Sequence, residues 1–352
     1  MQNSIHPGQI WRDTNGKPIE AHAGAIFYEK EVFYWYGENK ENTDGRNGIW
    51  TSGIRYYSSA DLYNWKDEGY LIPPDPNNES SLLHPKYRMD RPHIVKSKGT
   101  GKYVCWLKFS GYEACFAVMQ ADQFSGPYEM IEEHYRPLGK KIGDFDITYD
   151  DTGAHWLIFE GDHKGIYCAR LNKDCLAVSD DYVSLRNGLH APFCREAPAH
   201  FRHNGLHYLI TSGMTGYRPN PSEAMTANNI QGPYTIQGSP HVEDGSRASF
   251  NSQISFVFRH PHKKDLYIAM ADRWMPDYMI DSEKSEAIER YIASHYSDKY
   301  VTKEEDKEIF MSFPANDKVN TSRSTYVWLP LRFNGNDVYI DWLDNWRIED
   351  YE

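Results

Sequence analysis

The segment Ala25-Ile26-Phe27-Tyr28-Glu29-Lys30-Glu31-Val32-Phe33-Tyr34-Trp35-Tyr36 shows the pattern that decides the fold of this 352-residue chain. Two apolar runs of strand length flank a short polar turn, and the second run is rich in Tyr and Trp, as expected of a β-hairpin. The pattern returns at residues 93–107, 147–159, 199–210 and 254–269. Five recurring hairpins predict an all-β fold, a five-bladed β-propeller. The alternative is a large β-sandwich with coincidental hairpins.

A weaker repeat follows some of these hairpins. Residues 59–65, 122–128 and 229–234 resemble one another, and the last two share a Gly-Pro-Tyr ending. We interpret them as the outer strand of their blades. The sequence thus predicts one propeller domain over residues 1–352.

Residues 277–316 interrupt the pattern and predict a short helical and charged insertion near the last blade. Asp281 or Ser282 is suited to cap a helix, with Glu283 in its first turn. Ile288, Tyr291, Ile292 and His295 then share one face at helical spacing. Residues 303–308 form a charged run that we expect to be solvated. A surface role is expected for the insertion; covering the rim of a pocket or an oligomer contact is the alternative.

Composition excludes several classes of function. The chain carries 38 basic and 50 acidic residues, a net charge of -12, which would repel a nucleic acid backbone. No apolar run approaches the length of a membrane helix, so we expect no membrane partner. The first residues show no signal sequence, and the expected location is cytoplasmic.

The cysteines indicate neither a metal site nor a redox motif. The five thiols have irregular spacing without a C-x-x-C pair: Cys105, Cys115, Cys168, Cys175 and Cys194. Buried free thiols are expected. A P-loop pattern is also absent from the sequence, and we predict neither a metal nor a cofactor.

Polar residues stand immediately before each predicted innermost strand. The five stretches are 20–24 (Glu-Ala-His-Ala-Gly), 90–93 (Asp-Arg-Pro-His), 143–146 (Gly-Asp-Phe-Asp), 195–198 (Arg-Glu-Ala-Pro) and 250–253 (Phe-Asn-Ser-Gln). Innermost strands of a propeller begin around its central channel, so these side chains converge. Carboxylates converging among aromatic rings are what glycoside hydrolysis requires, because one acid must hold a proton and flat rings stack on sugars. The alternative is that they only make hydrogen bonds within turns of the rim.

The chain resembles glycoside hydrolase family 43, and its motifs are similar to those of the exo-β-1,3-galactanase branch. The matching stretches are 20–24, 34–38 (Tyr-Trp-Tyr-Gly-Glu), 90–92, 196–198, 215–220 (Thr-Gly-Tyr-Arg-Pro-Asn), 251–253 and 272–274 (Asp-Arg-Trp). The resemblance runs over nearly the whole chain except the insertion.

The resemblance indicates four candidate catalytic residues and implies roles for three of them. Glu196 matches the general acid and Asp144 the residue that tunes it. The Asp that most of the family uses as a base on the first blade is missing, as in the galactanase branch, and Gln253 matches the glutamine proposed there to position or activate water. An ordinary hydrogen bond to substrate is the alternative role of Gln253. Asp90 stands where the branch usually has Glu.

Further residues are candidates for substrate binding: Glu38, Tyr36, His22, Tyr217, Asn220, Arg273 and Trp274. For Glu38 the alternative is a salt bridge to Arg46 or Arg55. His22 is also suited to a hydrogen-bonded core position or to water-mediated calcium on the channel axis. Arg273 is expected to pair with Asp272 beneath the pocket, with sugar contact as the alternative. Tyr217 stands where the branch commonly has Trp.

The resemblance implies an inverting exo-glycosidase that acts on terminal β-linked galactose, with an oligosaccharide or a polysaccharide side chain as substrate. Two other functions remain open from the sequence. One is an exo-α-L-arabinofuranosidase or β-D-galactofuranosidase on the same fold. The other is a catalytically silent carbohydrate-binding propeller, since the usual base is absent.

Overall fold

In the computed structural model, which describes residues 2–352, the chain forms five antiparallel sheets of four strands each. The first blade contains β1 (His22–Glu29), β2 (Val32–Glu38), β3 (Ile54–Ser59) and β4 (Lys66–Ile72). The second contains β5 (Met89–Lys96), β6 (Tyr103–Phe109), β7 (Cys115–Ala121) and β8 (Glu129–Tyr135). The third contains β9 (Ile142–Tyr149), β10 (His155–Gly161), β11 (Gly165–Leu171) and β12 (Val178–Asn187).

The remaining two blades complete the ring. The fourth contains β13 (Arg195–His203), β14 (Leu206–Gly213), β15 (Glu223–Ala227) and β16 (Thr235–Gly238). The fifth contains β17 (Gln253–Arg259), β18 (Tyr267–Arg273), β19 (Thr325–Asn334) and β20 (Asp337–Ile340). Each of the innermost strands β1, β5, β9, β13 and β17 contacts the next, and β17 returns to β1. The predicted five-bladed propeller is confirmed.

Aromatic side chains fill the seam where the first and last blades meet. Trp35 on β2 packs against Trp65, Trp328 and Tyr326, with ring centroids 4.6–5.3 Å apart. Nearly all of this surface is removed from water, since Trp35, Trp65 and Trp328 are at most 1% exposed. Burial of such large rings provides most of the stabilisation expected at a blade interface.

The three segments interpreted as outer strands are turns instead. Residues 60–65, 122–128 and 228–234 connect the third strand of a blade to the fourth. Gly126 and Gly232 have φ values of 82° and 83°, in the left-handed region that a strand does not use. The Asp61 carboxylate also accepts backbone N–H groups of Tyr63 and Asn64, which fixes a turn.

The insertion lies between β18 and β19 and forms two helices. The first, α1 (Ser282–Ser294), is capped by Asp281, which accepts the N–H of Lys284 as predicted. The charged run begins a second helix, α2 (Glu304–Met311), and its residues are exposed as expected except Asp306, which is buried. An ion pair of 2.8 Å between Arg290 and Asp306 joins the two helices and compensates the buried charge of Asp306.

Two further sequence expectations can be compared with the structure. All five cysteines are free and buried, as expected. Within residues 2–352, helices long and apolar enough to cross a membrane are not found.

Replacement of Gly24 by Ala is expected to destabilise the propeller. A Cβ atom at Gly24 would overlap the carbonyl oxygen of Tyr36 on the neighbouring strand, where both backbones are fixed by the sheet. Overpacking of this kind costs about 1–3 kcal/mol or more, so the Tm measured by calorimetry should fall by several degrees. Gly245→Ala is the matched control, because a Cβ there meets open space. Equal Tm values for both variants would contradict this view of the β1–β2 contact.

Candidate active site

Three innermost strands begin with the same backbone kink. Ala23, Arg91 and Ala197 have φ values of 45°, 42° and 49°, and the pairing of each strand with its neighbour shifts at this point. Such β-bulges change the direction in which neighbouring side chains point. As a result Asp90 and Glu196 reach the pocket at the start of their strands. Proline at 92 and 198 suits the position after the kink, because the bulged ladder leaves a donor unused there.

The kinked strand ends surround a cavity of about 340 Å³. Carboxyl groups dominate its wall, with three cations and three large aromatic rings beside them. The ionisable lining residues are Glu38, Asp90, Asp144, Glu160, Glu196, Arg88, Arg91, Lys108 and His163. The aromatic and amide lining residues are Trp50, Tyr217, Trp274, Gln253 and Asn316. The structure therefore brings together all four sequence-predicted catalytic residues, along with Glu38, Tyr217 and Trp274.

A buried guanidinium occupies the centre of this arrangement. Arg91 is 3% exposed, and its Nε donates to Asp144 Oδ1 at 2.9 Å. Its Nη2 donates to the amide oxygen of Gln253 at 2.9 Å, and its backbone N–H donates to Glu38. Lys108 adds a second cation 2.5 Å from Asp144. Burial alone would raise the pKa of Asp144, but Arg91 and Lys108 outweigh it and lower that pKa to about 2. Asp144 is therefore an anion throughout the neutral range.

Glu196 has the opposite protonation behaviour. The residue is half-buried at the cavity wall, and it forms no ion pair with the cations of residues 2–352. Burial, followed by the negative charges of Asp144 and Glu160, raises the pKa of Glu196 to about 8, although Lys108 and Arg91 oppose the shift. Glu196 thus holds its proton at neutral pH, next to an ionised carboxylate. Two carboxyl groups with divergent pKa values are the arrangement expected of an acid catalyst and its electrostatic partner.

Gln253 is held in one orientation by three hydrogen bonds. Its oxygen accepts from Arg91 and, at 3.3 Å, from the indole N–H of Trp274. Its nitrogen donates to the Ser212 hydroxyl at 2.9 Å, and Ser212 is the residue opposite Glu196 in the β13–β14 ladder. The position of the amide relative to Glu196 is therefore set by β14, which carries Ser212 and pairs with the strand of Glu196. On the first blade the corresponding wall is formed by Ala23, which offers no base.

Asp90 and Glu38 form the opposite part of the lining. Asp90 accepts the indole N–H of Trp50 at 2.5 Å and lies 3.5 Å from Lys108. Glu38 pairs with Lys40 at 2.6 Å, whereas Arg55 pairs with Asp67. The predicted alternative of a Glu38 salt bridge to Arg46 or Arg55 is therefore wrong, because Lys40 lies closer along the same blade edge. Burial raises the pKa of Glu38 against the attraction of Lys40.

Aromatic rings form one side of the cavity. Tyr217 lies between Trp50 and Trp274, with ring centroids 6.0 and 5.2 Å away. Such rings present flat apolar faces on which the C–H face of a sugar packs. Asn316 extends to this side from the insertion, and its side chain contacts the Tyr217 backbone and Arg218. The insertion thus contributes to the pocket rim rather than serving only as surface.

Four residues predicted to bind substrate are engaged elsewhere. Tyr36 is 1% exposed and accepts the N–H of Ile94 between two blades. His22 is also 1% exposed, 2.9 Å from Asp272 and stacked on Tyr326, so the hydrogen-bonded core position describes it. Asn220 holds its own loop through Gly213 and Thr215. Tyr36, His22 and Asn220 therefore have structural roles in place of the predicted substrate contacts.

The predicted substrate contact of Arg273 is likewise replaced by a structural role. Its guanidinium donates to the carbonyl oxygen of Phe250 and lies over the Trp342 ring. The predicted pairing of Arg273 with Asp272 is also wrong, because Asp272 binds His22 and the N–H of Ala23 instead. Successive residues of β18 point to opposite faces of the sheet, which separates these two side chains.

Sequence reasoning missed several lining residues, notably Lys108, Glu160, His163 and Trp50. Glu160 is the last but one residue of the aromatic strand β10, Glu38 is the last residue of β2, and the Glu160 carboxylate lies 3.2 Å from His163. Lys108 is the one charged residue in the wholly buried strand β6. A charged residue near the end of the otherwise apolar second strand of a blade is the sequence signal that identifies both Lys108 and Glu160. Among residues 2–352, groups of three or more His, Cys, Asp or Glu side chains arranged for a metal ion are not found.

Comparison with known proteins relates this pocket to a family. The model of Glycosyl hydrolases family 43 matches residues 13–273. A solved structure described as a GH43 beta-1,3-galactosidase has 26% identity and a TM-score of 0.79, covering 99% of this chain and 65% of that one. A second beta-1,3-galactosidase, solved with galactodeoxynojirimycin, has 26% identity and a TM-score of 0.77, covering 98% of this chain and 100% of that one.

More distant matches share the fold. An exo-beta-1,3-galactanase from Phanerochaete chrysosporium has 24% identity and a TM-score of 0.76, covering 98% of this chain and 68% of that one. A candidate beta-xylosidase of Escherichia coli (strain K12) is 25% identical over 210 residues, which are 53% of this chain and 36% of that protein. The chain spans about a third of this curated relative and about two thirds of the first galactosidase.

The kink at Ala197 gives a test of how Glu196 is oriented. We expect Ala197→Gly to leave the Tm nearly unchanged, because relief of the left-handed φ offsets the entropy cost of glycine. Ala197→Val should destabilise the protein by about 1–3 kcal/mol, since a β-branched side chain is strained at positive φ. Thermal unfolding of the two variants measures the difference. A valine variant as stable as the glycine variant would contradict the strained geometry.

Proposed function

This chain belongs to family 43 of the glycosyl hydrolases, and we propose that it is a glycosidase, an inverting exo-enzyme that releases terminal β-linked galactose from β-1,3-galactan oligosaccharides. The observation that carries the proposal is the divergence of two neighbouring carboxyl groups, with the Glu196 pKa near 8 and the Asp144 pKa near 2. The choice of galactose is supported by the two beta-1,3-galactosidases that match nearly the whole chain at 26% identity.

In the proposed reaction, Glu196 donates its proton to the glycosidic oxygen as the bond from C1 to that oxygen breaks. The positive charge that develops on the sugar ring is stabilised by the surrounding carboxylates, of which Asp144 is the permanent anion. A water molecule attacks C1 from the opposite face and releases one proton to the surrounding solvent, giving galactose of inverted configuration. Glu196 is left as a carboxylate and regains a proton from solvent before the next turnover.

Gln253 is suited to orient the attacking water. Both the oxygen and one N–H of its amide are already engaged by Arg91, Trp274 and Ser212, so the remaining N–H is the group that can reach a ligand. An amide that accepts a hydrogen bond from a guanidinium is a very weak base. The arrangement therefore favours positioning of water over direct proton abstraction by the amide. Neither this amide nor Ala23 on the first blade offers a carboxylate nucleophile, which favours inversion over a covalent intermediate.

The sugar would be held by stacking and by one unused donor. Trp50, Tyr217 and Trp274 supply the apolar wall. Arg91 Nη1 is buried and has no hydrogen-bond partner among residues 2–352. A buried donor of this kind normally finds a partner, and a sugar hydroxyl entering the cavity would provide one.

Two other functions predict different behaviour. A silent binding propeller does not require a protonated acid next to an ionised carboxylate, so the divergent pKa values disfavour it. A furanosidase would use the same acid but a differently shaped sugar. A panel of aryl galactopyranosides, arabinofuranosides and galactofuranosides separates that alternative, since our proposal expects turnover of the pyranoside only.

The pH dependence should follow the proton on Glu196. Because the acid form is the active one, kcat/KM should fall as the pH rises through about 8. Glu160→Gln removes a neighbouring negative charge, lowers the pKa of Glu196 and should shift the alkaline limb to lower pH. Glu133→Gln, on an exposed strand, is the matched control and should leave the limb in place. An unshifted limb in Glu160→Gln would contradict the electrostatic origin of the raised pKa.

Removal of the acid should affect substrates according to their leaving groups. We expect Glu196→Gln to fold normally and to lose roughly 10²–10⁴-fold in rate on β-1,3-galactobiose, whose leaving alkoxide needs protonation. An aryl galactoside with a very acidic phenol needs no proton, so its loss should be much smaller. Equal losses on both substrates, measured by steady-state kinetics, would show that Glu196 is not the general acid.

A further inference from the structure

A second cavity of about 190 Å³ adjoins the catalytic pocket. The two cavities share Trp50, Arg88 and Tyr217 in their walls. The second cavity is enclosed by the loop 43–50 of the first blade, the residues before β5, and residues 317–321 at the end of the insertion. A sugar unit linked to one in the catalytic pocket would therefore enter it past the Trp50 and Tyr217 rings.

The walls of this cavity pack closely. Thr43 and Thr321 are each 5% exposed, and their hydroxyl groups lie 3.1 Å apart. Gly45 packs so tightly against the carbonyl group of Lys318 that a Cβ atom would overlap it. The insertion is thus fastened to the first blade at this point, and the cavity is a defined space between them.

Positive charge distinguishes this cavity from the rest of the molecule. Arg46, Lys86, Arg88 and Lys318 line it, with Asp317 as the single carboxylate. Arg46 and Arg88 take part in none of the ion pairs formed within residues 2–352, and Arg88 lies 4.7 Å over the Trp50 ring. The chain as a whole carries a net charge of -12, and the catalytic pocket holds five carboxyl groups. A local excess of cations in such a protein favours an anionic ligand.

We propose that this cavity binds an anionic substituent, the carboxylate of a uronic acid or a sulfate ester, on the sugar unit that adjoins the galactose in the catalytic pocket. The inference rests on the proposed function and defines its substrate class more closely. Arg88 has the planar donor geometry that matches a carboxylate or a sulfate, and its stacking on Trp50 holds that plane at the junction of the two cavities. Arg46, Lys86 and Lys318 surround the same space with further positive charge.

The test compares substrates that differ only in charge. β-1,3-Galactobiose bearing a glucuronosyl group at O6 of its reducing-end galactose, the unit that adjoins the catalytic pocket, is compared with the same compound bearing a neutral glucosyl group. The 6-O-sulfate ester forms a third arm, which distinguishes a uronate from a sulfate as the preferred anion. We expect kcat/KM to be roughly tenfold higher for one or both anionic compounds than for the glucosyl compound, and the ratio to fall at high salt.

Removal of part of the positive charge in the cavity should weaken this preference. The double variant Arg46→Gln/Lys318→Gln removes two cations that lie outside the catalytic pocket. Because Arg88 and Lys86 remain, it should lower the ratio of anionic to neutral kcat/KM without removing the preference completely. Lys299→Gln, an exposed lysine of the insertion outside the cavity, is the matched control and should keep the wild-type ratio.

Failure of this proposal is distinguishable from failure of the proposed function. Hydrolysis of galactobiose with no anionic preference, or a preference unchanged in the double variant, would overturn the anionic site alone. If no galactoside is hydrolysed, the proposed function fails, and calorimetry with methyl β-glucuronide and methyl galactoside 6-sulfate then decides the site. Binding to the wild type that is weaker in the double variant supports the anionic site. Binding of equal strength in both proteins, or no binding to either, overturns it.

Discussion

The guanidinium of Arg91 is the interaction on which the rest of the pocket depends. It binds Asp144 of the third blade and Gln253 of the fifth, while its backbone N–H binds Glu38 of the first. One residue of the second blade therefore joins four of the five blades at the mouth of the channel. A buried cation is costly unless it is paired, and the pairing here sets the position of each partner. The positive φ of Arg91 places its side chain in the pocket rather than between the strands.

The same cation separates the pKa values of two neighbouring carboxyl groups in the pocket, Asp144 and Glu196. Together with Lys108 it holds the pKa of Asp144 low, and the resulting anion, added to burial, holds the pKa of Glu196 high. Arg91 by itself would lower the pKa of Glu196. Because it also keeps Asp144 ionised, and the Asp144 anion raises the pKa of Glu196, its indirect effect opposes its direct one. Gln253, locked by the same guanidinium, contributes an orientation rather than a charge. The pocket consequently offers one proton donor, one fixed anion and one positioned amide.

Much of this arrangement follows from the sequence, and the exceptions have physical reasons. The hairpin pattern predicts the blades because the two strands and the turn are local in the chain, and Asp281 is predictable because helix caps are local as well. Asp90, Asp144, Glu196 and Gln253 are predictable because each stands at the start of an innermost strand. Which of two successive residues faces the pocket cannot be predicted from the local sequence, because it depends on the β-bulge and on the alternation of side chains along the strand. For that reason Tyr36, His22, Asn220 and Arg273 were assigned to a pocket that Lys108, Glu160 and Trp50 line instead. The second helix of the insertion is not predictable from its own residues, because its one buried charge, Asp306, is paired with Arg290, sixteen residues earlier in the chain.

The most direct test of this account is proton NMR of the protein with β-1,3-galactobiose, following the anomeric signals from the first minutes. An inverting exo-galactosidase predicts that α-galactose appears first and then equilibrates with the β-anomer. Early β-galactose would contradict inversion and require a covalent intermediate that the amide at Gln253 does not provide. Intact galactobiose after a day would contradict the assignment of galactose itself.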